Sequence, residues 1–107
     1  VSIHANAISM SRPDVNGLEA FYAPGSAQGR ELAETIYNAV QRNANVRGRS
    51  LRSARFYVIR RTSMPAALIE TGFVTGAVDA PMLASSAHRA QIANGITQGI
   101  LEFLNRR

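Results

Sequence analysis

"PAALIETGF", Pro65 to Phe73, is the stretch that decides the fold. Ala66 to Ile69 is apolar at every position, with a proline before it and Gly72 soon after. A strand solvated on one side alternates apolar and polar residues, whereas a short run apolar on both faces suits a mostly parallel sheet covered by helices. Glu70 follows this run at once. A carboxylate at the end of a buried run must be paired, hydrated or functional, because stripping its water without compensation is costly.

"VSIHANAIS", Val1 to Ser9, has the same form: Val1-Ser2-Ile3 delivers a histidine, His4, and Asn6 follows among small residues. Phe56-Tyr57-Val58-Ile59 is strand-like by composition and is followed by Arg60 and Arg61. Open α/β sheets bind ligands beyond the carboxyl ends of their strands. If these three strands lie parallel and adjacent, a histidine, a carboxylate and an arginine meet at one rim. Plainer readings stand beside this one. His4 can be a hydrogen-bonded structural histidine, and Arg60 can simply pair with Glu70. His88, near the start of the last helix, is expected to be solvated.

The rest of the chain supplies the covering layers. Gly17 to Ala23, "GLEAFYA", reads as another strand, ended by Pro24-Gly25. Ser26 is placed to cap a helix of about five turns, on which Leu32, Ile36 and Val40 form one apolar stripe. Asn43 to Ser53 is polar and basic and reads as a loop. Asp79 and Pro81 suggest the cap and first turn of a short helix. Ser86 is placed to cap the last helix, whose stripe is Ile92, Ile96, Ile100, Phe103 and Leu104. Gly95 and Gly99 on that helix predict close packing against a neighbour. The expected class is α/β, a mostly parallel or mixed sheet flanked by helices, in one domain without repeats.

Composition narrows the function. Cysteine is absent among the 107 residues, which excludes disulfides and thiolate metal sites. No apolar run approaches a membrane span. The net charge is +5 and every basic residue is arginine, seven of them between Arg42 and Arg61. That cluster reads either as an anion-binding surface, for nucleic acid or an acidic cell-wall polymer, or as a solvated loop. Few aromatics accompany it (Phe56, Tyr57), which weighs against nucleic acid. No Gly-rich phosphate loop, His-Glu-x-x-His helix or hydrolase serine elbow is present. A catalytic zinc site needs about three protein ligands, and with only His4 and Glu70 in place the chain reads as one or two ligands short.

Four motifs in order, "SIHANA", "GLEAFY", "RFYVIRRTSMPAALIETGFVTG" and "QIANGITQGILEFL", together resemble the zinc-dependent N-acetylmuramoyl-L-alanine amidases of the amidase-3 type, over essentially the whole chain. The "GFVTG" ending is most similar to cyanobacterial members. The resemblance implies that His4, in the "SIHAN" motif, is a Zn2+ ligand and that Glu70, before "GF", is the catalytic acid–base residue. It implies two further ligands, a histidine and a glutamate, upstream of "SIHAN" and without counterpart here. Residues 1–107 are thus expected to be the C-terminal part of a single catalytic domain, with about four strands and two long helices of a larger six-stranded whole.

The implied reaction is hydrolysis of the amide between N-acetylmuramic acid and L-alanine of the peptidoglycan stem peptide, in a periplasmic or secreted setting. Zinc would activate a water and polarise the carbonyl, and Glu70 would move the proton. Arg60 is a candidate for binding a stem-peptide carboxylate, and Asn6 a candidate for orienting the metal ligand. Some family members carry a blocking helix that a partner removes. The Ala7–Asn16 loop and the Pro24-Gly25 turn leave no room for one, so no activator is expected. The competing reading is an arginine-rich, non-catalytic binding module for an anionic polymer, and a third is a catalytically dead relative used as a structural piece.

Overall fold

The computed structural model describes residues 1–106. Within them the order is β1 (Ser2–Asn6), β2 (Leu18–Tyr22), α1 (Ala27–Asn43), β3 (Gly48–Ser53), α2 (Tyr57–Arg60), β4 (Leu68–Phe73), α3 (Asp79–Leu83) and α4 (Ser86–Asn105). The strands form one mixed sheet in the order β1-β4-β2-β3. β1 runs parallel to β4, β4 antiparallel to β2, and β2 parallel to β3.

α1 starts where its cap chemistry places it, since Ser26 Oγ accepts the Gly29 N–H at 2.9 Å. Its stripe Leu32, Ile36 and Val40 is buried against Leu18, Ala20 and Ile69 of the sheet and Ile92, Ile96 and Phe103 of α4. The two long helices touch closely through Gly95 and Gly99. A β-carbon built on Gly95 would lie 2.6 Å from Val40 Cα, and one on Gly99 would collide with the Ile36 backbone. The expected close packing is therefore real, and it leaves no space for a side chain. The α4 stripe departs from the periodic reading at Leu104, which is exposed, and the cap is Ser85 rather than Ser86.

Two elements differ from the sequence reading. Residues 48–53, expected in a loop, form β3. As an edge strand β3 has a free side and keeps polar and charged residues there, the composition that mimics a loop. Residues 56–59, expected as a strand, instead lead into the single-turn helix α2, of which only Ile59 is buried. β4 is already paired on both sides, by β1 and β2. The apolar run instead lies over the sheet, with Phe56 edge-on to Phe21 at 5.2 Å and Ile59 against Phe21 and Leu68. β propensity reflects fit to a pleated surface more than backbone preference, so packing overrides it here. His88 is also corrected: it is buried at the first turn of α4 rather than solvated.

Asp79, in the first turn of α3, is buried, and its Oδ2 accepts the N–H groups of Gly17 and Phe73, each at 2.8 Å. It is not a cap in the expected sense. It ties the entry to β2 to the exit of β4, and so fixes the antiparallel pair at the centre of the sheet.

Candidate active site

The helices α1 and α4 cover one face of the sheet, which takes Leu18, Ala20 and Ile69. The alternate residues point to the other face. Lateral register then assembles a row. His4 stands opposite Glu70 across β1 and β4, Glu70 opposite Glu19 across β4 and β2, and Glu19 opposite Ser50 across β2 and β3. Directly opposed residues share a face, with Cβ atoms about 5 Å apart. Four strands thus contribute one residue each to a polar line.

His4 and Glu70 lie within their strands rather than at the tips, because β1 continues to Asn6 and β4 to Phe73. The juxtaposition expected from the sequence survives in this shifted form, since β1 and β4 are parallel and pair the two residues. His4 is exposed, and its Nε2 lies 2.6 Å from Ser2 Oγ. Glu70 is half-buried, and its Oε2 is enclosed with no hydrogen-bond partner among the described residues. Burial pushes the Glu70 carboxyl above the usual carboxylate range; the charge of His4 opposes this and that of Glu19 adds to it.

Glu19 is the site residue that the sequence reading passed over. It is 5% exposed, yet its carboxylate is well supplied. Asn6 Nδ2 donates to Oε1 at 3.1 Å and Ser50 Oγ to Oε2 at 2.7 Å, while Arg49 Nε and Arg52 Nη2 lie 3.6 Å and 4.0 Å from Oε2. The available signal was a carboxylate between Leu18 and Ala20 in a strand that is otherwise apolar. Asn6 thus spends its amide on Glu19 and on the Ala7 N–H, not on His4. Arg60 lies in α2, exposed, and makes no ion pair with Glu70; the strand end that was to deliver it does not exist. The arginines that do reach this face are Arg49 and Arg52, from the strand expected as a loop.

A cavity of about 370 Å³ lies on the opposite face, between Ile3 and Ala5 of β1 and Ile92, Ala93 and Ile96 of α4. It is apolar and contains neither His4 nor Glu70. Among the described residues, no three His, Cys, Asp or Glu side chains are grouped to hold a metal ion.

The architecture defines an α/β domain whose long helices cover one face of the sheet and whose other face carries the polar row beside a small apolar cluster of Phe21, Ile59 and Leu68. The chain belongs to the N-acetylmuramoyl-L-alanine amidase family, whose model matches residues 1–102. It is similar to the N-acetylmuramoyl-L-alanine amidase LytC of Bacillus subtilis, 37% identical over 105 residues that cover 96% of this chain and 21% of that protein. Among solved structures it resembles the amidase AmiC2 of Nostoc punctiforme, at 47% identity and a TM-score of 0.90, over 97% of this chain and 56% of that one. An amidase from Clostridium difficile 630 matches at 33% identity with the same TM-score and the same coverage. The chain thus spans about a fifth of LytC and little more than half of the AmiC2 chain.

Proposed function

We propose that this chain is the C-terminal part of the catalytic domain of a zinc-dependent peptidoglycan amidase. The enzyme hydrolyses the amide between N-acetylmuramic acid and L-alanine during cell-wall remodelling and cell separation, in the periplasm or outside the cell. The observation that carries this reading is the pairing of His4 with Glu70, whose buried Oε2 has no hydrogen-bond partner among the described residues. A desolvated, unsatisfied carboxylate costs stability and is retained for use.

The donor set fits a shared metal site. His4 is exposed and would supply one nitrogen ligand on release of its Nε2 from Ser2 Oγ, 2.6 Å away, and the further ligands would have to come from beyond it, since the described residues hold no group of three. A zinc ion bound there would acidify a water and polarise the amide carbonyl. Glu70 accepts a proton from the attacking water and returns it to the departing L-alanine nitrogen, the work of a carboxyl poised above its ordinary range. Glu19 is held by Asn6 and Ser50 and flanked by Arg49 and Arg52, and so supports the row beside Glu70.

The test uses the intact protein. Glu70→Gln keeps shape and removes only the proton acceptor, so zinc stays near one equivalent and turnover on peptidoglycan falls about 10²–10⁴-fold. His4→Ala removes a nitrogen donor, so metal content and activity fall together. Elemental analysis beside stem-peptide release distinguishes the two, and Glu70→Gln with full turnover overturns the assignment. Neither the β1–β2 connection nor residues 23–26 before α1 hold a helix, which supports activity on purified cell wall without an activator.

A further inference from the structure

Beyond His4 and Glu70, two arginines of β3 reach the same face. Arg49 and Arg52 sit on the polar face, at 3.6 Å and 4.0 Å from Glu19 Oε2. These separations exceed those of a good hydrogen bond. Both oxygens of Glu19 already accept shorter bonds, from Asn6 and Ser50. The guanidinium groups are therefore held near Glu19 by charge while their fork-shaped donor edges are not spent on it. Two cations thus stand beside Glu19, and Arg49 also feels the charge of Asp14, which leaves Arg52 the less engaged of the two.

Each of the two guanidinium groups also lies over an aromatic ring. Arg49 lies over Phe73 and Arg52 over Phe21, each 5.4 Å from the ring centroid. The Arg52 and Phe21 backbones are register partners, so this stacking is built into the β2–β3 pair. Arginines held over rings by cation–π attraction lose less freedom on binding, and their planar forks match carboxylates. The side chains remain 40% and 66% exposed, open to a ligand. Neutralising Glu19 alone needs neither a second arginine nor rings to orient both.

We infer that Arg49 and Arg52 form a carboxylate clamp that selects acidic stem peptides, by binding a free carboxylate beyond the scissile bond. This rests on the amidase reading. The spacing fits it. β3 lies two strands from β4, about 10 Å at the usual interstrand distance. An extended peptide covers roughly that distance in three residues. A chain cut at Glu70 and running across the row thus brings its second or third residue to the arginines. Arg60, the arginine expected to do this, has no place in the row.

The experiment compares two muramoyl peptides that differ only in whether the carboxylates beyond L-alanine are free or amidated. The intact zinc-loaded enzyme should favour the free acid by about ten-fold in kcat/KM, carried by KM, as expected for one charge-assisted pair. In Arg49→Gln and in Arg52→Gln this ratio falls toward one, while Arg52→Lys, which keeps the charge and loses the fork, is intermediate. Calorimetry with the corresponding peptides lacking the sugar should show the same preference in binding. Each single variant leaves Glu19 one arginine besides Asn6 and Ser50, and thermal melts check that it folds; should a Gln variant unfold, Arg52→Lys alone decides. Turnover without preference in the wild type, or a preference unchanged in the variants, overturns the clamp and leaves the amidase reading intact. Preference in binding without turnover of either peptide overturns the amidase reading and keeps the clamp. Neither turnover nor preference overturns both.

Discussion

The two faces of one sheet do different work. On the helix side, Leu18, Ala20 and Ile69 are fully buried with Ile36 and Val40 of α1. On the other side, their immediate neighbours in the chain, Glu19 and Glu70, stand in line with His4 and Ser50. Neighbours in sequence therefore belong to separate physical environments, because a strand's side chains alternate with period two. The packed face holds the molecule together by excluding water. The polar face keeps an unsatisfied carboxylate and an excess of arginine, features that cost stability and supply chemistry.

Substitutions can break or sharpen this contrast. The largest effect is expected on the packed side. Gly99→Val would place a branched side chain where α4 meets the Ile36 backbone, costing about 3 kcal/mol or more by denaturant titration of the intact protein. A neutral result would mean that the helices do not meet as described.

Next is Asp79→Ala, which leaves the buried Gly17 and Phe73 N–H groups without their acceptor. The expected loss is about 2–3 kcal/mol. Activity of the fraction that stays folded should fall as well, since the β2–β4 register aligns Glu19 with Glu70; unchanged activity would show that the row is held by other means.

The smallest effect has the opposite sign. In the metal-free protein, Glu70→Gln should be neutral or stabilising by at most about 1 kcal/mol, discounted for solvent screening of this half-exposed group. Its carboxyl titrates above the usual range in the folded state, so ionisation is what the fold resists. The gain is therefore absent at pH below the ordinary carboxylate range, grows as pH rises, and is complete above the raised folded value. Denaturant titrations at several pH values would show it. A marked destabilisation at neutral pH would place Glu70 with the structural carboxylates such as Asp79, and the division between the faces would fail there.

Much of this arrangement was legible in the chain. The apolar run before Glu70, the delivery of His4 by Val1-Ser2-Ile3, the stripe on α1 and the paired glycines of α4 each carry a local signature. Three features were not legible for definite reasons. β3 is an edge strand whose arginines and serines resemble a loop. Phe56 to Ile59 has strand composition but packs over Phe21 and Leu68 instead of joining the sheet. Arg60 was placed in the site by that mistaken strand, while Arg49 and Arg52 were kept out of it by the mistaken loop.

What the sequence determined by itself is periodic and local: which segments carry an apolar stripe, where Ser26 starts a helix, and which runs end in a chemically active side chain. These follow from the 3.6-residue and two-residue periods and from capping, which act over a few positions. Only the tertiary structure decided strand order and register. Pairing in the order β1-β4-β2-β3 brings His4, Glu70, Glu19 and Ser50 into one line from positions up to 66 residues apart. No single strand encodes that line. It arises because Asp79, the α1–α4 contact and the burial of alternate residues admit one register, and slipping any strand by one residue would turn its polar group into the core.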